Sequence, residues 1–220
     1  LANPNVANKP SDMNSQLWDR LVTDPFYPRF WEDRLLQPLW HKKPVGIFTV
    51  DMGELFGDWV PRTWQDCLFN IIDRCPQHRF YLLTKQPQNL IKFSPFPSNC
   101  FVGVTATANA FLTNALIGLY GIEARHKFIS FEPLLGNVGI KDHMKFTDAG
   151  IDWVIIGAQT KPYKPPQIEW VEEIARACDK AGIPVFLKDN LKEWLTFCGV
   201  TRTQRDLIYL ETGLRQEMPE

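Results

Sequence analysis

Eight polar residues stand where short apolar runs stop, and they define the chemistry this chain could do. They are Asp51 after GIFTV (46–50), Lys85 closing RFYLLTK (79–85), Thr105 and Thr107 in FVGVTAT (101–107), Glu132 after KFISF (127–131), Gln159 after WVIIGA (153–158), and Lys188 and Asp189 after PVFL (184–187). Glu132 is held between apolar Phe131 and rigid Pro133. A carboxylate so placed could act as a base, bind an amino group or ligate a metal; its plain alternative is a salt bridge to Lys85 or Lys188. Lys188, after Val185-Phe186-Leu187, invites a Schiff-base role, because a desolvated lysine is nucleophilic. The sequence supplies no partner that would activate it. Each of these residues has loop capping as its alternative.

The elements that must position them follow from the runs. Apolar stretches of four to eight residues bounded by turn signals suit strands buried on both faces. Parallel sheets and barrels carry their chemistry at the carboxyl ends of such strands. Strand starts near 46, 80, 101, 127, 152 and 184 lie 21 to 34 residues apart, which leaves room for the crossover that each parallel pair needs. The spacing predicts helices over 30–39 (stopping before Pro38), over 63–74, over 109–121 (closed by Gly121) and over 168–182. The 63–74 helix should take Thr63 as N-cap and present Trp64, Cys67, Leu68, Ile71 and Ile72 on one face. The 168–182 helix should carry a stripe of Ile168, Val171, Ile174, Ala175 and Cys178, with acids in its first turn. The fold class is therefore α/β, a partial parallel (β/α) TIM-type barrel with about six strands visible and a first strand expected upstream; a doubly wound sheet is the alternative. Residues 1–16 read as flexible lead-in, 17–190 as a single barrel domain and 191–220 as a C-terminal tail packing on the barrel.

The bulk numbers exclude some classes. In 220 residues, 24 Lys and Arg balance 25 Asp and Glu, so no global basic field advertises nucleic acid. No apolar stretch reaches the length of a membrane span. The five cysteines are scattered without a C-x-x-C pair, and the four histidines lack H-x-x-x-H spacing, so no metal site follows from spacing. Cys75 and His78 share a loop but have no second pair. This cysteine usage suits a reducing, cytoplasmic setting. Phosphate-cradling glycine motifs are absent. Between Leu17 and Trp40, aromatic residues alternate with Arg20, Arg29 and Arg34, which reads as a packed cover over one barrel end or as a base-stacking surface. The chain begins with Leu1, and an upstream segment is expected from that.

Several segments form one collinear series: YPRFWEDRLLQPL, DMGELFGDWVP, CPQHRFYLLTKQPQNL, VGVTAT, FISFEPLLG, IDWVIIGAQT, IPVFLKDN and the terminal LRQEMP. As a set this series resembles the phage-type radical-SAM-like family of unknown function, the three-Cys-motif proteins found beside a dedicated partner protein. The resemblance implies a partial TIM-type barrel that binds S-adenosylmethionine at its rim, with three closely spaced cysteines holding a [4Fe–4S] cluster. This sequence departs from that pattern, because no cysteine precedes Cys67; the cluster-binding segment is expected to lie upstream. Carried onto matching segments, the resemblance makes Glu132, Lys85 and Lys188 candidate catalytic residues and Asp51, Thr105 and Gln159 candidate cofactor contacts. A nucleic-acid-related substrate is an expectation by analogy. Two other readings stand beside it: a cluster-less barrel that binds a partner protein, and a TIM-barrel lyase or hydrolase using Glu132 and Lys188.

Overall fold

The computed structural model describes residues 30–51, 53–140, 142–197, 201–210 and 213–219. Six strands form one parallel sheet in strict sequence order: β1 (Gly46–Thr49), β2 (Arg79–Thr84), β3 (Cys100–Thr105), β4 (His126–Phe131), β5 (Trp153–Ile156) and, last, β8 (Val185–Leu187). The sheet is curled into a half-barrel and stays open between β1 and β8, so it is neither doubly wound nor a closed barrel. Between β5 and β8 a separate antiparallel hairpin pairs β6 (Gln159–Thr160) with β7 (Tyr163–Lys164).

Period-two alternation in the strands sorts two apolar layers. Phe80, Leu82, Val102, Val104, Ile129, Phe131, Val154, Ile156, Val185 and Leu187 face the helices and join the main core. The opposite, concave face gathers Phe101, Phe128 and Trp153, flanked by Tyr81, Leu83, Ile155 and Phe186. Gly103 makes this possible: a Cβ there would fall 2.3–2.5 Å from the Phe128 ring. The far end of the ring therefore occupies the space over position 103, and any side chain there would displace it.

The helices differ from expectation in instructive ways. Residues 30–39 are not one helix: α1 (Glu32–Leu35) and α2 (Gln37–Trp40) are separate turns, and Pro38 lies in the first turn of α2, where its missing N–H costs nothing. The next helix, α3 (Arg62–Arg74), begins after Pro61 rather than on a Thr63 cap. Its inner face carries Gln65, Ile71 and Ile72, with Leu68 and Phe69 beside them, whereas Cys67 is exposed. The Gln65 side chain is buried because its amide donates to the Leu55 carbonyl at 2.8 Å, a partner 10 residues distant that apolar periodicity does not register. Helix α4 (Asn109–Tyr120) is followed by Gly121 in a right-handed conformation. A short α5 (Met144–Asp148) precedes β5. In α6 (Ile168–Ala181), Val171, Ile174, Ala175 and Cys178 are buried as expected, and Gly182 takes the left-handed turn at φ 68° that ends it.

After β8 come α7 (Lys192–Phe197) and α8 (Arg202–Ile208), the latter started by a reciprocal cap between Thr201 and Gln204. The chain then turns through β9 (Tyr209–Leu210) and β10 (Gly213–Leu214). It finishes along β8, where Leu187 N–H donates to the Arg215 carbonyl and Glu217 N–H to the Val185 carbonyl. The outer edge of β8 is thereby covered, while among the described residues β1 has a single sheet neighbour. Of the 17–40 aromatic stretch, residues 17–29 lie outside the described residues, as does the 1–16 lead-in. Phe30 stacks on Trp64 at 5.3 Å, and Trp40 is exposed. Among the described residues no helix is long and apolar enough to cross a membrane.

Candidate functional site

The rim at the carboxyl ends of the strands is built from β4, β5 and β8. Phe128 and Ser130 point to the concave side of β4, so Glu132, two residues on, extends the same row; the corresponding rows are Trp153–Ile155–Gly157 and Phe186–Lys188. The rows meet: Lys188 Nζ lies 2.5 Å from Glu132 Oε1, with 43% and 27% of the side chains exposed. Of the two cross-rim partners expected for Glu132, the structure selects Lys188. Gly157 supplies the space, since a Cβ there would lie 3.0 Å from Glu132 Cγ and 3.1 Å from Oε1. The Glu132–Pro133 peptide is cis.

Asn190 locks this corner. Its side-chain amide donates to the Ala158 carbonyl at 2.9 Å and accepts from Ala158 N–H at 3.1 Å, while Lys188 N–H donates to the Ile156 carbonyl. One side chain thus ties the end of β8 to the end of β5. Asn190 also accepts, through its own carbonyl, the Tyr163 hydroxyl at 3.1 Å, which seats the β6–β7 hairpin on the rim.

The other expected rim residues are more dispersed. Thr105 ends β3, buried, opposite Ser130. Asp51 is exposed in the turn after β1, next to Val50 at φ 57°, an uncommon backbone setting for a β-branched residue. Lys85 is exposed, and its backbone N–H donates to Glu54. Gln159 is half-buried and donates to the Pro162 carbonyl inside its own hairpin. Thr107 receives Leu135 N–H at its carbonyl, and Asp189 accepts from Gln216. Glu132 and Lys188 are therefore brought together; Asp51, Lys85 and Gln159 are loop-capping or solvent-facing.

Reading strand ends missed Glu54, Gly157 and Asn190. The Glu54 carboxylate accepts from Thr84 Oγ1 (2.7 Å), Lys85 N–H (2.9 Å) and Phe56 N–H (3.0 Å), binding the β1 and β2 loops together. Its signal was weak because two partners lie 30 and 31 residues away. Asn190 had a better one, since it stands two residues past Lys188.

A metal or cluster finds no donor set here. Among the described residues no three His, Cys, Asp or Glu side chains group to hold an ion. Cys67 is exposed on α3, while Cys75, Cys100 and Cys178 are buried. Burial pushes the Cys100 thiol up to about 12, against the thiolate a cluster requires. These thiols do not fit a [4Fe–4S] cluster.

The fold and rim define an α/β half-barrel with a charged pair above an aromatic concave face. The chain belongs to the family described as Protein of unknown function (DUF5131), whose model matches residues 5–207. No curated protein and no solved structure matches it.

Proposed function

We propose that this rim binds a ligand of the S-adenosylmethionine class, one with an amino-acid end and an aromatic base. The Glu132–Lys188 pair carries the reading. A zwitterionic amino acid inserted between the two would give its ammonium to the Glu132 carboxylate and its carboxylate to Lys188, replacing one ion pair by two. Below the pair, the half-buried Ile155 and Phe186 of the concave face offer the apolar surface that a purine prefers. This supports the resemblance-based expectation of a radical-SAM-like, TIM-type half-barrel, in which a further strand beside β1 would extend the sheet. The described thiols do not fit a cluster, and no electron-transfer step is assigned to this chain's residues. Lys188 is engaged with Glu132, which does not favour the Schiff-base lyase alternative. The four described free thiols accord with a reducing, cytoplasmic setting.

The partner-binding alternative has support on another face. Helix α4 carries no charged residue and exposes Phe111, and its exposed Ile117 and Tyr120 border a groove of about 320 Å³ against α5.

Titration calorimetry tests the rim site. The chain should bind S-adenosylmethionine, and Glu132→Gln or Lys188→Met should weaken it by about 10- to 100-fold, the scale of a charge-assisted hydrogen bond. Methylthioadenosine, which lacks the amino-acid end, should bind equally to parent and variants. A folded chain that binds neither compound refutes the site.

A further inference from the structure

We propose that the β6–β7 hairpin is a docking platform for single-stranded nucleic acid, which names the substrate class of the same rim and rests on the rim-site reading for its placement. From Trp153 to Ile168 the chain contains Lys161 and Lys164 and no acidic residue. Both lysines are exposed, and among the described residues neither enters an ion pair. Arg62, Lys92 and Arg176, elsewhere on the surface, are each matched to a carboxylate. Lys192, also exposed, stands two residues past Asn190 at the start of α7.

Between the two lysines sits Tyr163, 51% exposed. Its hydroxyl is held by the Asn190 carbonyl, so the ring is fixed in one attitude while half its surface faces solvent. Lysines flanking an oriented, exposed aromatic ring match the two demands of a single strand: cations that follow the phosphates, and a face on which one unstacked base lies. A duplex keeps its bases stacked and would leave the ring unused.

The platform is stiff and local to the site. Gln159 bridges the hairpin to the Pro162 carbonyl, Pro165 and Pro166 follow it, and Asn190 clasps its base at Ala158. The residue before Ala158 is Gly157, against which Glu132 packs. A strand lying on the hairpin would thus pass at the mouth of the Glu132–Lys188 corner.

Fluorescence anisotropy with a labelled single-stranded oligonucleotide of about 20 nucleotides, run from 50 to 200 mM salt, tests this. Each phosphate contact contributes about −0.7 to the slope of log K against log salt for single strands. The double variant Lys161→Ala/Lys164→Ala should lose about tenfold or more in affinity, and its slope should be shallower by about 1.4. Tyr163→Ala should lose affinity with the slope unchanged, and Tyr163→Phe should retain most of it. S-adenosylmethionine binding, measured separately, should be the same in the Lys161→Ala/Lys164→Ala variant, so the two proposals fail independently. No oligonucleotide binding by the parent chain, binding indifferent to the lysines, or binding only to anionic vesicles would each overturn the platform.

Discussion

Glu132 shows how much of a side chain's role lies in the space around it. The carboxylate reaches Lys188 because position 157 has no side chain, and the Gly157 backbone is not in the left-handed region. Gly157→Ala is therefore a steric change alone. The new methyl would stand 3.0–3.1 Å from the Glu132 side chain and force it to give way. We expect a loss of about 1–3 kcal/mol in chemical denaturation, the scale of an overpacked site, together with weaker S-adenosylmethionine binding. Unchanged stability and unchanged binding would show that Glu132 relocates without consequence. Glu132, Lys188 and Thr105 were legible in the sequence because strands end where apolar runs end. Which lysine Glu132 meets was not, because both follow strands and only the curl of the sheet brings β8 back toward β4.

At the scale of elements, the segment after β8 is organised by one arginine. Arg215 is 7% exposed and spans Asp179 on α6 and Glu217 on its own segment, both at 2.8 Å. Burial works against its charge, but the hydrogen bonds and charges of Glu217 and Asp179 outweigh it, so its pKa stands above the ordinary arginine value. Its backbone closes the edge of β8, and Glu217 binds both Val185 N–H and, through its carbonyl, the Trp153 indole. Arg215→Ala leaves two carboxylates without their partner. Broken buried pairs cost about 3–5 kcal/mol; both carboxylates here are one-third to two-fifths exposed and can rehydrate, so about 2 kcal/mol is expected from urea unfolding. A midpoint within error of the parent would mean that the segment does not clasp the sheet. None of this was readable from LRQEMP, since two-residue strands carry no periodicity and a buried arginine looks like a surface one until its partners are known.

The whole molecule carries a pH dependence of its own. Burial holds the thiols of Cys75, Cys100 and Cys178 above their ordinary values, with Cys100 at about 12. Below the unfolded thiol value of about 8.5 both states are protonated and the groups contribute nothing differential. Above it the unfolded chain releases protons that the folded chain keeps, so stability falls with rising pH. Unfolding midpoints should therefore decline from about pH 8.5 upward, and replacing Cys100 and Cys178 by alanine should flatten that decline even as it lowers overall stability. A decline of equal slope in the double variant would place its cause elsewhere.

The positions and parallel direction of the strands were legible in the sequence alone, but their order was not, because a doubly wound sheet suits the same spacing. Apolar runs separated by 21 to 34 residues admit parallel crossovers and little else, and the run ends marked the rim. Tertiary structure decided the rest, because it depends on contacts between distant residues. The sheet stops as an open half-barrel, since closure depends on how many strands curl together and on what covers each edge. The Glu132–Lys188 corner, the Asn190 clasp and the Glu54 tie each join positions 30 or more residues apart, across which no local pattern reports.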